Sequence, residues 1–115
     1  MVKTKRQGPP EQISSLARQY AGEVRIQCNG IVRVFLYGSY ARGDYDENSD
    51  IDIMFLTDDT DELLLEEKVS NITFDYNMEY DVEISPIIVK QEHFDYWKES
   101  YMFYRNIVKE GILIE

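Results

Sequence analysis

The segment at residues 50–56 constrains the fold of this 115-residue chain most, because it alternates acidic and aliphatic side chains before continuing apolar. Successive side chains of a strand point to opposite faces, so this period of two predicts a strand with one buried face. Asp50 and Asp52 then share the other face, with α-carbons about 6.6 Å apart. Residues 31–37 are β-branched and aromatic and end at Gly38, which predicts a buried strand that runs into a turn.

Helical patterns flank these two strands. Apolar residues recur at helical spacing over residues 11–28, and acidic capping residues before an apolar stripe predict a second helix over residues 58–78. Residues 80–89 form a third predicted strand, in which Pro86 requires an edge position or a bulge. The tail at residues 91–110 predicts one helix, or two separated by a break.

The chain is long enough for one hydrophobic core and too short for two ordinary domains. We expect a flexible leader at residues 1–10, because its Gly-Pro-Pro ending cannot continue a helix, and a single domain at residues 11–115. The predicted elements make this domain α+β, with helices flanking a sheet of at least three strands.

Charge and cysteine content limit the partners. The formal net charge is -10, and nonspecific affinity for nucleic acids comes largely from Lys and Arg, so autonomous nucleic-acid binding is not expected. Cys28 is the only cysteine, which excludes an intrachain disulfide and a metal site built on thiolates. No segment approaches the length of a membrane-spanning helix, and we expect a cytoplasmic protein.

The turn and the two carboxylates suit a nucleotide that binds with metal ions. Gly38 permits close approach of the backbone to a phosphate, and the Ser39 hydroxyl can donate to phosphate oxygens. Asp50 and Asp52 can converge on a metal pair, whose ions lie roughly 3.5–4 Å apart in phosphoryl-transfer sites. Arg42 either pairs with a phosphate or balances the acidic loop that follows it, and the sequence favours neither.

A third carboxylate on a neighbouring strand would complete the metal site and could take the proton of an attacking hydroxyl. Asp81 and Glu83 are the candidates, because a period of two puts both on one face of the third predicted strand. We favour Asp81, which opens its apolar segment as Asp50 opens the earlier one, and Glu83 stays open as the alternative.

The order Gly38-Ser39, ten intervening residues and Asp50-Ile51-Asp52 resembles the signature of the DNA polymerase beta-like nucleotidyltransferase superfamily. The small size and the form Gly-Ser-Tyr-Ala-Arg-Gly resemble its minimal nucleotidyltransferases, including the antitoxins paired with HEPN-domain toxins. The resemblance implies a nucleotidyltransferase fold with a central mixed sheet. It also implies that Gly38 and Ser39 hold a triphosphate, that Asp50 and Asp52 hold Mg²⁺, and that Asp81 takes the third acidic position.

By the same resemblance, we expect an enzyme that moves a nucleoside monophosphate from a nucleoside triphosphate to a hydroxyl. ATP is the expected donor, two Mg²⁺ ions the expected cofactors, and a tyrosine of a HEPN-type toxin the expected acceptor. A chain this small has little room for a lid over the base, so a second subunit or a partner would complete the pocket.

Other interpretations of the same residues remain. The fold could serve as a noncatalytic antitoxin or nucleotide-binding module that neutralises a partner by contact. A calcium loop is disfavoured, because Ser49 and Phe55 stand where its glycine and bidentate glutamate belong. The helical spacing of the tail aromatics predicts core positions rather than a base-stacking platform. These aromatic residues are Phe94, Trp97, Tyr101 and Tyr104.

Overall fold

The structure is a computed structural model that describes residues 8–58 and 61–114. Five helices and four strands follow in the order α1 Glu11–Gln27, β1 Ile31–Tyr37, α2 Ser39–Arg42, β2 Ile51–Thr57, α3 Glu62–Tyr80, β3 Ile84–Lys90, α4 Gln91–Trp97, α5 Met102–Glu110 and β4 Ile112–Leu113. In the part of the chain described, no helix has the length and apolar character needed to cross a bilayer. Most of the predicted leader, residues 1–7, lies outside the described residues.

The strands form one mixed sheet with the order β3-β2-β1-β4. Strand β1 runs antiparallel to both β2 and β4, whereas β2 and β3 are parallel. The connection from β2 to β3 passes through α3, as a parallel pair requires. Pro86 lies on the edge strand β3, which agrees with its missing backbone donor. The prediction of an α+β fold with a mixed sheet is confirmed.

The two faces of the sheet carry separate hydrophobic clusters. Ile53 and Phe55 of β2 point to the face covered by α1 and α3, where they are fully buried. Met54 and Leu56, between and after them, point to the face covered by α4 and α5. Because side chains alternate along a strand, Asp52 lies on the α4 and α5 face. The apolar residues that were predicted to fix the register do so.

Helix α3 and strand β3 begin and end later than the sequence pattern predicted. Asp61 caps α3, and its carboxylate accepts a hydrogen bond of 3.2 Å from the Leu64 amide. The helix continues to Tyr80 and ends at Asp81, which adopts a left-handed conformation with φ 51°. Strand β3 starts only at Ile84, so the predicted strand start at residue 80 was wrong.

The Asn77 side chain stabilises this turn between α3 and β3. Its Oδ1 accepts a 2.8 Å hydrogen bond from the Ile84 amide, and its Nδ2 donates to the Ile84 carbonyl at 3.4 Å. The Asn77 side chain therefore pairs with both the amide and the carbonyl of Ile84, the first residue of the edge strand. This pairing replaces the extended conformation expected for residues 80–83.

The tail forms two helices, α4 and α5, separated by a break that contains Ser100. Two helices with a break were one of the two alternatives predicted. Phe94 and Tyr104 are buried beneath them, as expected for core residues. Trp97 and Tyr101 are 44% and 51% exposed, so the core prediction was wrong for both. The break turns these two rings away from the sheet, which a single continuous helix would not have done. Strand β4 was not predicted from the sequence.

Tyr20 should make the free energy of unfolding depend on pH in the alkaline range. Its hydroxyl lies 2.6 Å from Thr73 Oγ1, which itself donates to the Val69 carbonyl, so the Tyr20 hydroxyl is the donor. Burial raises the pKa of Tyr20 to about 12. Ionisation is therefore easier in the unfolded chain, and the stabilising contribution is complete below roughly pH 10 and is lost as the pH rises towards 12.

Tyr20→Phe should lower the free energy of unfolding by about 1 kcal/mol at pH 8, because one hydrogen bond is lost. The difference from the unsubstituted chain should shrink as the pH rises above roughly 10, because only that chain must keep the buried phenol protonated. Urea unfolding at pH 8, 10 and 11 measures both effects. A difference that stays constant across this range would contradict the assignment.

Candidate active site

Gly38 connects β1 to the single turn of α2 and lies against Asp52. Its φ of 77° and ψ of −154° belong to a region that is essentially restricted to glycine. A Cβ at this position would overlap Asp52 Oδ2 and stand 3.0 Å from Asp52 Cγ. The absence of a side chain therefore lets the Gly-Ser turn and the β2 carboxylate approach each other. The turn closes at Gly43, whose amide donates to the Ser39 carbonyl at 2.9 Å.

The two carboxylates of β2 occupy environments of different polarity. Asp50 is exposed, whereas Asp52 is half-buried between the turn and the sheet. Burial raises the pKa of the Asp52 carboxyl, and the negative charge of Asp50 raises it further, while the positive charge of Arg42 opposes both. The structure thus brings Asp50, Asp52, Gly38 and Arg42 together. A bound cation would relieve the repulsion between the carboxylates.

The strand register distinguishes the two candidates for a third carboxylate. Ile51 pairs with Ile84, and the Ile51 amide donates to the Glu83 carbonyl at 2.8 Å, so Glu83 lies beside Asp50. Glu83 immediately precedes β3, and Glu83 and Asp81 line one cavity, so this backbone hydrogen bond to β2 is what distinguishes Glu83. Asp81 precedes the strand, at the C-terminus of α3. The period of two that made Asp81 a candidate therefore does not apply to it.

Arg42 pairs with an acid of the loop in this structure. Its Nε lies 3.2 Å from Asp44 Oδ2, and the two side chains are 39% and 32% exposed. An ion pair this exposed is weak, so Arg42 could exchange Asp44 for a phosphate at small cost. The structure is therefore compatible with both alternatives given for Arg42, pairing with a phosphate and balancing the acidic loop.

The loop between α2 and β2 is more ordered than a solvated acidic segment. Asp46 Oδ1 accepts from the Asn48 amide, and the Asp46 amide donates to Ser49 Oγ, both at 2.9 Å. The Ser49 amide donates in turn to the Asp46 carbonyl. Asp46 and Ser49 thus set the path by which the chain enters β2.

Tyr37 and Ser85 flank Asp52 and were missed in the sequence. Tyr37 is the antiparallel partner of Asp52 in β1, and Ser85 is its parallel partner in β3. Burial, then the Asp52 charge, raises the pKa of Tyr37 to about 12, so its phenol stays neutral. The Tyr37 ring stands edge-on to Phe103 of α5 at 5.5 Å. Only the pairing of distant segments brings these residues together.

The donor set fits a cation that arrives with a nucleotide. Among residues 8–58 and 61–114, no cluster of three or more His, Cys, Asp or Glu side chains is arranged to hold a metal ion. Mg²⁺ sites of nucleotide enzymes commonly use one or two carboxylates and take further oxygens from phosphates and water. Asp50 and Asp52 meet this requirement. A small, open cavity of about 260 Å³ lies at the start of β2, and its lining includes Ser49, Asp81 and Glu83 but neither Asp50 nor Asp52.

Comparisons with known proteins agree with this site. Residues 18–114 match the nucleotidyltransferase domain family, so the chain belongs to that family, whose members are transferases. Within it, two proteins of Methanocaldococcus jannaschii carry the provisional name protein adenylyltransferase. One is 49% identical over 59 residues, which cover 51% of this chain and 60% of that protein. The other is 32% identical over 109 residues, 88% of each.

Solved structures share the fold. A nucleotidyltransferase of Sulfolobus solfataricus has a TM-score of 0.61 and 24% identity, with 89% of this chain and 78% of that chain covered. A chain of the Shewanella oneidensis complex between a tri-AMPylated HEPN toxin and an MNT antitoxin has a TM-score of 0.55 and 16% identity, with 89% and 71% covered. By family this chain is a nucleotidyltransferase, and its fold is that of these solved structures.

Gly38→Ala should disable the site. The added methyl would displace the Asp52 carboxylate and strain the backbone at positive φ, so nucleotidyl transfer should fall by more than ~100-fold and stability by about 1–3 kcal/mol. Transfer of label from ATP and thermal unfolding measure the two effects.

Gly22→Ala is the matched control. A Cβ at Gly22 would meet no atom within 4 Å, and the residue lies inside α1, so alanine should keep activity and add up to about 1 kcal/mol of stability. Equal activity of the two variants would contradict the role given to Gly38.

Proposed function

We infer that this chain transfers AMP from ATP to a hydroxyl group of a partner protein and releases pyrophosphate. The observation that carries this proposal is the contact between the Gly38 turn and Asp52. It brings the start of a helical turn, with its first amides, beside the Asp52 carboxylate, two residues from Asp50 on the same strand. A triphosphate and its metal ions need such an arrangement of donors and oxygen ligands.

In the proposed reaction, the acceptor oxygen attacks the α-phosphorus and forms a new P–O bond. The bond from that phosphorus to the oxygen bridging to the β-phosphorus breaks, and pyrophosphate leaves with the electron pair. The Gly38 turn and Ser39 hold the phosphate tail, and Arg42 exchanges Asp44 for a phosphate oxygen. The acceptor proton passes to a carboxylate of the site.

Asp50 and Asp52 are the proposed ligands of Mg²⁺, with two ions expected. Bound there, the ions would neutralise the charge of the phosphates and of the departing pyrophosphate. We assign the third acidic position to Glu83, because its register beside Asp50 supports it, and keep Asp81 as the alternative. Tyr37 retains its proton and lines the floor of the site beside Asp52.

The proposed acceptor is a tyrosine of a HEPN-type toxin, which would make this chain an antitoxin. Two facts support this assignment: the names of the M. jannaschii relatives and the AMPylated HEPN toxin in the Shewanella oneidensis complex. The exposure of Asp50 also favours an acceptor that covers the nucleotide itself. A folded partner would exclude water that otherwise competes for the α-phosphate.

The combined variant Asp50→Asn and Asp52→Asn should lose transfer by more than ~100-fold, because both metal ligands lose their charge. The assay incubates the chain with Mg²⁺, ATP labelled at the α-phosphate, and a HEPN-type protein from the same genome. Label on that protein, its removal by EDTA and its loss in the variant are the expected results. Transfer by the variant at the unsubstituted rate would rule the mechanism out.

The same variant separates catalysis from a noncatalytic antitoxin that acts by contact alone. The exposed aromatic residues of the tail favour this second candidate, because they offer a surface for a partner. If contact suffices, cells that express the toxin should survive with the Asp50→Asn, Asp52→Asn chain as well as with the unsubstituted one. If AMP transfer is required, the variant should fail to protect them.

Glu83→Gln and Asp81→Asn test the third carboxylate, and each substitution removes one charge with little change in shape. Glu83→Gln should reduce transfer at least ~10-fold, whereas Asp81→Asn should stay within about twofold of the unsubstituted chain, because Asp81 lies at the end of α3. Initial rates at saturating ATP measure both. The opposite ranking would return the assignment to Asp81.

A further inference from the structure

The exposed side of the α4 and α5 helices carries aromatic, apolar and basic side chains together. Besides Trp97 and Tyr101, Tyr96 is 76% and Met102 is 68% exposed. The Tyr96 and Trp97 rings meet edge to face at 4.8 Å, and the Tyr101 amide donates to the Trp97 carbonyl at 2.8 Å, which brings the start of α5 next to the end of α4. Large exposed side chains clustered in this way mark interaction sites more often than isolated ones do.

Basic residues extend this patch along α5. A groove of about 450 Å³ is lined by Met102, Arg105 and Lys109 among others. Within residues 8–58 and 61–114, no carboxylate lies within ion-pair distance of Arg105 or Lys109. Lys98 and Glu99 complete the charged lining of the groove, so the groove carries three basic side chains and one acidic side chain in a chain of net charge -10. It complements a partner whose contact surface is acidic around an apolar centre.

The patch is also connected to the active site. Phe103, at the start of α5, packs edge-on against Tyr37, and Tyr37 is the strand partner of Asp52. Tyr101 contacts the Phe103 ring at a centroid distance of 6.2 Å. A protein seated on the start of α5 therefore lies at the end of the sheet where the carboxylates project.

Exposed apolar residues elsewhere lack this connection. Phe74 and Met78 are exposed on α3, which covers the other face of the sheet. A protein bound there would be separated from Asp52 by the sheet itself. An acceptor hydroxyl must reach the α-phosphate from the carboxylate face, so the α4 and α5 face is the one that can deliver it.

We propose that the α4–α5 surface, formed by Tyr96, Trp97, Tyr101, Met102, Arg105 and Lys109, docks the protein that carries the acceptor hydroxyl. This inference rests on the proposed function and adds where the acceptor binds and what chemistry it presents. The aromatic residues bury against its apolar centre, and Arg105 and Lys109 pair with its acidic rim. Docking there orients the acceptor towards Asp50 and Asp52.

Two variants test the surface. Tyr96→Ser with Met102→Ser removes two highly exposed side chains, and Arg105→Glu with Lys109→Glu reverses the charge without removing packed groups. The control is Phe74→Ser with Met78→Ser on the opposite face. Each variant is assayed with Mg²⁺, labelled ATP and the HEPN-type protein described above. Thermal unfolding shows that each variant is folded.

Both surface variants should raise the KM for the HEPN-type protein about tenfold or more, because central interface residues dominate affinity. The Kd for ATP with Mg²⁺ should stay within about twofold, and the control should match the unsubstituted chain. Unchanged KM in either folded surface variant, or a raised KM in the control alone, would overturn the inference while leaving the proposed function intact.

Failure of the proposed function gives a different result, in which the unsubstituted chain transfers no label. Docking is then measured directly as the Kd between the chain and the HEPN-type protein by calorimetry. A Kd about tenfold weaker in both surface variants supports the surface even without catalysis. The inference would be overturned by unchanged binding in the surface variants or by the absence of any binding. It would also be overturned if the chain self-associates and only the surface variants abolish this, because a second copy would then occupy the surface.

Discussion

The contact between Gly38 and the Asp52 carboxylate is the constraint on which the site depends. The backbone at Gly38 holds a conformation that only glycine adopts readily, and its missing side chain leaves the space that Asp52 occupies. The Gly-Ser turn thereby meets β2 at the position from which the carboxylates project. A chain that lost this contact would keep its sheet and its two hydrophobic clusters but would separate the Gly-Ser turn from the carboxylate of Asp52.

The two faces of the sheet have different roles. The face beneath α1 and α3 supplies most of the hydrophobic core, which includes Tyr20 and Phe55, whose rings lie 5.8 Å apart. The other face carries a smaller cluster under α4 and α5 and leaves its Asp52 end uncovered. Like charges on Asp50 and Asp52 and the partial burial of Asp52 both raise the free energy of the site when no cation is bound. The larger core can tolerate that cost because the carboxylates lie outside it.

Local patterns predicted most of the fold. The bounds of α1, β1 and β2 agree with the sequence to within one residue, because apolar periodicity and the Gly38 turn both act over a few residues. The start of β3 and the surroundings of Asp81 were not predictable in this way. There, the Asn77 side chain pairs with Ile84 across a turn, and this contact overrides the alternating pattern of residues 80–85. The exposure of Trp97 and Tyr101 likewise depends on a break whose direction the helical period cannot specify.

The sequence by itself determined which residues are proposed for the site, because Gly38, Ser39, Asp50 and Asp52 are related by spacing along a turn and a single strand. Tertiary structure decided which residues accompany them. Glu83, Tyr37 and Phe103 approach the carboxylates only through strand register and helix packing, which join segments far apart in the chain. It also decided that α5 lies on the carboxylate face, and therefore which exposed surface lies next to the reaction. The physical reason is that alternation fixes which residues share a face, whereas pairing between strands fixes which residues meet on it.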